Sequence, residues 1–266
     1  MGKNKTLMCP PMYFALEYEI NPWMDKKNEV NREKSIKQWD ELVGVYLKNK
    51  SNVKILNPVI GLPDMVFTAN GAFVIKNKAL ISNFKFKERK NESKIFEKWF
   101  KVNGYEVIRI PNEIIFEGQG DAFNFNDKIF AGFGFRSILK SHLYLKNLFH
   151  KEVVSLRLIN PKFYHLDTCF CILKNGEAVY YPGAFNKDSV LKIKKNFKIT
   201  IEINEYDALK FFCNSVSIDN LLVTSTKGYT SKSLSAIKKL GYIIKSVDLS
   251  EFKKSGGGAR CLTLSI

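Results

Sequence analysis

A closed ring of five α/β modules, a five-bladed propeller of ββαβ-type repeats around a central site, is the fold class this sequence predicts. Amphipathic helical segments alternate with short β-rich runs in one recurring order. The polar or reactive residue that opens one strand of each unit also recurs at near-constant spacing: Asn70, Asp121, Asp167, Asn214 and Cys261 follow one another at 51, 46, 47 and 47 residues. With 266 residues, 45% of them hydrophobic, the chain can bury a substantial core, and one folded unit over residues 1–266 is expected.

Each element has its own signal along the chain. Apolar positions at threes and fours mark helices in NREKSIKQWDELVGVYLKN, NESKIFEKWFKVNG and SKSLSAIKKLG. Each is followed by a β-rich run, as in VKILNP, YEVIRIP and YIIKSVDL, and VVSLRLI and ITIEIN read the same way. After each run come a loop and a strand pair with a turn: FVIKNKALI, AFNFNDKIFAG, CFCILKNGEAVYY and SVSIDNLLVTS. The last unit has only the strand CLTLS, so the N-terminal strand TLMCPP is expected to close the ring with it. A unit of about 50 residues cannot bury its hydrophobic face alone, which is why such repeats stack or close into rings.

Composition narrows the functional classes. No stretch reaches the roughly 18 consecutive apolar residues of a membrane span, and MGKNKTLMCPP lacks the apolar segment of a secretory signal. A cytoplasmic location and no membrane partner are expected. The five cysteines, Cys9, Cys169, Cys171, Cys213 and Cys261, have no CxxC spacing, which argues against a disulfide framework or a zinc knuckle. Cys169 and Cys171 share a strand face and read as core. The net charge of +16 points first to an anionic partner, but its lysines are scattered rather than gathered in one arm. No nucleic-acid partner, metal or cofactor is expected.

Equivalent positions of a ring face its centre, so the five spaced residues should converge there with their loop neighbours Glu117 and His165. That set has the parts of a nucleophilic site. A cysteine needs a base or a positive field to become thiolate, and the glycine-rich GGGARC loop would expose backbone N–H groups to a substrate. His165 can exchange protons near neutrality. Glu117, Asp121 and Asp167 would hold a cation, and a guanidinium suits carboxylates around a thiol better than an anionic ester does.

The motifs LPDMVFTANG, FEGQGD, GFGFRS, HLDT and GGGARC, in order over essentially the whole chain, resemble those of the guanidino-group-modifying enzymes. That superfamily, the pentein fold, includes arginine deiminases, dimethylarginine dimethylaminohydrolases, amidinotransferases and arginine dihydrolases. The resemblance implies that Cys261 attacks the guanidinium carbon and that His165 protonates the leaving amine and then activates water, with Asp167 steadying the substrate or the imidazole. It implies that Glu117 grips the guanidinium, although FEGQGD carries one residue more than the commoner EGGD, so Glu117 and Asp121 both stay open for that contact. Arg89 and Arg136 would hold an α-carboxylate and Asp64 an α-amino group.

One departure bears on the reaction. Where deiminases and dimethylaminohydrolases usually carry an aspartate, this chain has Asn70, whose amide can donate to a neutral ureido oxygen. With Asn21 of EINPWM as a second amide, the pattern looks most like the arginine dihydrolases, which take arginine to ornithine, carbon dioxide and two ammonia molecules through bound citrulline. Single-step deimination, dimethylarginine hydrolysis and a non-catalytic ribosome-binding propeller are the alternatives. A small-molecule substrate is expected, and a homo-oligomer is compatible with the sequence.

Overall fold

The computed structural model describes residues 5–266. The chain begins with β1 (Lys5–Met8) and, after the helix Arg32–Lys48, continues with β2 (Asn52–Ile55). Three further triplets follow the same scheme: β3 (Ala72–Ile75), β4 (Lys78–Ile81) and β5 (Glu106–Arg109); β6 (Ala122–Phe125), β7 (Lys128–Phe133) and β8 (Glu152–Arg157); β9 (Phe170–Ile172), β10 (Ala178–Tyr180) and β11 (Thr200–Glu202). The fourth is β12 (Val216–Ile218), β13 (Leu221–Thr224) and β14 (Ile243–Ser246), and β15 (Leu264–Ser265) ends the chain.

Each triplet is one three-stranded sheet, and the fifth sheet is β15–β1–β2. In every sheet the inner strand pairs antiparallel with the middle one, and the middle strand pairs parallel with the outer one after a helical crossover. The crossover helices are Arg32–Lys48, Glu92–Val102, Lys140–Phe149, Lys187–Asn196 and Ser231–Lys239. The five-bladed α/β ring expected from the spacing is therefore the fold. It is closed between the chain's two ends, with Leu7 opposite Leu264 in the antiparallel pair.

Local chemistry explains the elements. Asn31 caps the first helix by accepting from the Lys34 N–H, and the helix buries Ser35, Gln38, Trp39, Leu42, Val45 and Tyr46 along one stripe. Three hairpins turn on Lys76, Asn126 and Asp219, each in the left-handed region at φ 56°, 52° and 49°. Asn and Asp tolerate that conformation; Lys76 adopts it at a cost of about 1–2 kcal/mol. The large aromatics Phe73, Phe96, Phe130, Phe170 and Phe252 are fully buried between the sheets and their helices. Cys169 and Cys171 belong to this core. Among the described residues no helix is long and apolar enough to cross a membrane.

One expectation needs correction. CLTLS is a strand only at Leu264–Ser265, because Leu262 N–H turns back to the Gly258 carbonyl and Thr263 N–H to that of Arg260. Cys261 therefore sits on a tight turn at the inner end of the blade, not on the strand. Thr68 ties this turn to the rest of the ring: its buried hydroxyl is shared between the carbonyls of Leu7 at 2.9 Å and Leu262 at 3.1 Å. Thr68→Val, which leaves these carbonyls short of a donor, is expected to lower the unfolding free energy by about 1–3 kcal/mol in a urea titration.

Candidate active site

The loops that precede the inner strands meet on the ring axis. Asn70 and Asp167 lie on the short 3-10 turns Thr68–Asn70 and Leu166–Thr168, and Asp121 ends the single helical turn Gly118–Asp121. Cross-links between loops bring them together: Asn214 Nδ2 donates to the Asp167 carbonyl at 3.0 Å, Leu166 N–H to Asp121 Oδ1 at 3.0 Å, and Ala69 N–H to the Cys261 carbonyl at 3.1 Å. Gly120 permits the closest approach. A β-carbon there would overlap the Asn70 amide and stand 3.4 Å from the His165 ring, so Asn70 and His165 flank the same glycine.

The thiol of Cys261 is buried, 2% exposed. Its Sγ is 3.1 Å from Asp167 Oδ2 and 3.0 Å from Asn214 Nδ2. Burial and the adjacent Asp167 carboxylate push its pKa well up, so the thiol is protonated at neutral pH and donates to Asp167. Burial likewise raises Asp167, to about 6, against the opposing pull of His165 and of the thiol.

Glu117 organises the next layer. Its Oε2 accepts from His165 Nε2 at 2.8 Å and Arg136 Nη1 at 2.9 Å, and its Oε1 accepts from the Lys85 N–H at 3.1 Å. Burial opposes ionisation here, yet Arg136 and His165 hold the carboxyl well below the usual glutamate range. An ionised Glu117 can only accept, so Nε2 of His165 carries a proton and Nδ1, buried without a partner, is the nitrogen left for chemistry. Arg136 also donates to the Ile20 carbonyl at 3.0 Å and lies between the rings of Phe86 and Tyr164, each 4.7 Å away.

Several expected roles change on this geometry. Glu117 has both oxygens engaged inside the protein, so it orients His165 rather than gripping a guanidinium. Asp121 is no better placed: Oδ1 takes Leu166 N–H, and Oδ2 takes the Ser137 hydroxyl at 2.6 Å and its N–H at 3.2 Å. Arg89 is turned inward. It donates from Nε and Nη2 to the two oxygens of Glu92, at 2.9 and 2.8 Å, from Nη2 to the Asp64 carbonyl, and from Nη1 to Asn70 Oδ1 at 2.9 Å. The expected α-carboxylate clamp from Arg89 is thus replaced by a structural tie that orients Asn70. Asn21 spends its amide locally, accepting from Trp23 N–H at 2.9 Å and donating to the Ser255 carbonyl at 3.1 Å. It pins the segment across the glycine loop.

The glycine loop also differs from expectation. Every backbone N–H from Gly256 to Cys261 is taken within the protein: by Lys253 and Phe252 carbonyls, by Ser225 Oγ for Ala259, and by Asn214 Oδ1 for Gly258, Arg260 and Cys261. It offers no free N–H cradle. Its glycines serve contact instead, since a β-carbon at Gly257 would overlap the Phe67 ring and one at Gly258 the Ser225 hydroxyl. What the centre leaves unpartnered is Asp64 Oδ1, Asn70 Nδ2, His165 Nδ1 and Asp167 Oδ1. Buried polar atoms are rarely left so, and these two acceptors, one donor and one ring nitrogen, with the Tyr18 hydroxyl beside Asp64, are the groups the centre offers to a cation with several N–H groups.

Sequence reasoning missed Asn214, Glu92 and Tyr164. Asn214 stood at its repeat position but received no chemistry. Glu92 was hidden in an amphipathic helix, and only its i,i+3 spacing from Arg89 hinted at the pair.

Over residues 11–266 the chain matches the family model described as N,N dimethylarginine dimethylhydrolase, eukaryotic. It is 40% identical over 270 residues to the bifunctional arginine dihydrolase/ornithine cyclodeaminase AgrE of Nostoc sp., covering 100% of this chain and 38% of that protein. It is 36% identical over 261 residues to N(G),N(G)-dimethylarginine dimethylaminohydrolase of Mycobacterium tuberculosis, covering 97% of this chain and 84% of that one. Among solved structures it superposes on the N-terminal domain of ArgZ, an arginine dihydrolase from cyanobacteria in a Cys-to-Ser mutant bound to substrate, with TM-score 0.94 and 38% identity over 99% of this chain and 98% of that chain. The chain spans well under half the length of the bifunctional relative.

Glu117→Gln leaves Arg136 buried without an anion and is expected to cost about 3–5 kcal/mol in denaturant unfolding. The sign with pH follows from the depressed carboxyl. The Glu117 contribution is complete above the ordinary glutamate range, about pH 4.3, and is lost as pH falls below it, so the variant's stability should vary less with pH in that acid window than the wild type's.

Proposed function

The chain belongs to the dimethylarginine dimethylaminohydrolase family of guanidino-group-modifying enzymes, and from that premise we propose that it hydrolyses free L-arginine twice at one thiol, giving ornithine, carbon dioxide and two ammonia molecules. The observation that carries this reading is the orientation of Asn70. Arg89 can only donate, so its hydrogen bond fixes Asn70 Oδ1 away from the centre and leaves the NH2 pointing in without a partner. An inward amide donor complements the oxygen of a ureido group. An aspartate there would face that oxygen with a lone pair.

The charge of the site supports a cationic substrate. Five buried carboxyls, Asp64, Glu92, Glu117, Asp121 and Asp167, stand against three guanidinium groups, Arg89, Arg136 and Arg260. Burial of this acidic excess raises Asp64, Asp121 and Glu92, the last to about 7. A guanidinium beside Asp167 and an α-ammonium beside Asp64 would relieve it, and Arg136, with N–H groups to spare, would take the α-carboxylate. The arriving guanidinium also supplies the positive field that a buried thiol otherwise lacks, so the substrate favours the thiolate that attacks it.

The steps then follow from the residues. Cys261 Sγ adds to the guanidinium carbon as its thiol proton passes to His165 Nδ1, and Nδ1 hands that proton to the departing ammonia. The same nitrogen then takes a proton from the water that releases the thiol, leaving citrulline in place. Held through Asn70, the ureido carbon meets the thiol again. Loss of the second ammonia gives a thiocarbamate, and its hydrolysis gives a carbamic acid that breaks down to ornithine and carbon dioxide.

The decisive experiment supplies L-arginine to the full chain and quantifies ornithine, citrulline and ammonia. Two ammonia per ornithine are expected, and citrulline accumulating without ornithine would sink the proposal. Dimethylamine from asymmetric dimethylarginine would support the dimethylaminohydrolase alternative. Asn70→Asp is expected to shift the product from ornithine toward citrulline. Because Asp167 must be ionised to receive the cation, kcat/KM should fall on the acid side with an inflection near pH 6, the value to which burial raises Asp167.

A further inference from the structure

We propose that Asn214 is a catalytic residue, whose side-chain NH2 stabilises the ionised Cys261 sulfur while its oxygen clamps the nucleophile's loop. Nothing in the family likeness assigned this residue; its place in the structure does. Asn214 is fully buried, and Oδ1 accepts the N–H groups of Gly258 at 3.0 Å, Arg260 at 3.1 Å and Cys261 at 3.2 Å. Backbone N–H groups only donate, so the oxygen cannot exchange places with the nitrogen, and the NH2 is locked toward Cys261 Sγ at 3.0 Å and the Asp167 carbonyl at 3.0 Å.

The two neighbours of the sulfur act in opposite directions. Asp167 Oδ2, at 3.1 Å, accepts from the thiol and repels the thiolate. Asn214 contributes only a weak contact to a neutral thiol, but a charge-assisted one to a thiolate. Its interaction is therefore stronger in the attacking state than in the resting state, which is the condition for a catalytic contribution. The other ionisable groups that bear on the sulfur are Arg260, next in the chain, and Tyr164 across the site. Neither has a hydrogen bond to Sγ, whereas Asn214 does.

This inference rests on Cys261 being the nucleophile, and its test is independent of arginine turnover. The measurement is the pH dependence of Cys261 carbamidomethylation by iodoacetamide, followed by mass spectrometry of the Cys261 peptide, in wild type and in Asn214→Asp. The aspartate retains an acceptor for the three loop N–H groups, removes the donor to sulfur and adds a negative charge beside it. Both changes raise the inflection, so the donor's own share is read from the wild type's Asn214 side-chain amide. The expected result is an inflection raised by about one to two pH units, with an arginine kcat lowered about 10–100-fold, the range of one hydrogen bond to a charged group. An unchanged inflection in a folded Asn214→Asp protein overturns the inference even if arginine is turned over. A raised inflection in the variant, with a wild type that leaves arginine intact, overturns the dihydrolase reading alone. Where the variant does not fold, the wild type decides. The 15N-labelled side-chain amide of Asn214 should shift through the Cys261 inflection, and a flat signal overturns the assignment.

Discussion

Burial of more carboxyls than cations on one axis is the constraint around which the centre of this protein is arranged. Taking an ionised carboxylate out of water is expensive unless partners repay it. Here each charge is met by groups of its own blade and of its neighbours: Glu117 by Arg136, His165 and the Lys85 backbone, Arg89 by Glu92, and Asp121 by Ser137 and Leu166. The ring fold makes this affordable, because it brings donors from several loops to one point. The pairing is incomplete in one respect. Asp64 and Asp167 each keep an oxygen without a partner, and the missing positive charge is what the proposed substrate brings.

The five repeat positions have diverged into five tasks from one location. Asp121 fixes the loop of the next blade, and Asp167 faces the sulfur. Asn70 turns its donor inward, Asn214 holds the nucleophile's turn, and Cys261 is the nucleophile of the proposed reaction. Equivalent backbone placement delivers a side chain to the axis, and the partners waiting there decide what it does. The two asparagines illustrate this. Arg89 orients Asn70 through its oxygen, and three backbone N–H groups orient Asn214 through its own. In each case the NH2 is what remains for the site.

Rigidity at the nucleophile comes from the same principle. The glycines of GGGARC allow Phe67 and Ser225 to press against the backbone, while Asn214 and Ser225 consume its N–H groups. A loop that looks flexible in composition is thus over-determined in place, and the segment holding Asn21 and Trp23 is fastened across it through Ser255 and Lys162.

The sequence by itself determined the architecture. Helical and strand periodicities and a spacing near 47 residues are local signals, and they sufficed to place Asn70, Asp121, Asp167, Asn214 and Cys261 at one centre and to close the ring between TLMCPP and the C-terminal segment. It also singled out Cys261 and His165 by their chemistry. Only the tertiary structure decided which hydrogen-bonding atoms are free. Arg89 faces Glu92 instead of a ligand, Glu117 orients the histidine, Asn21 closes a turn, and Asn214 reaches the sulfur. Those outcomes depend on the directions of donors and acceptors that meet from positions far apart in the chain, such as Asn21 with Ser255 across 234 residues and Cys261 with Asp167 across 94. Residue type states what a group can donate or accept, but its orientation is set by whichever partners the fold buries beside it.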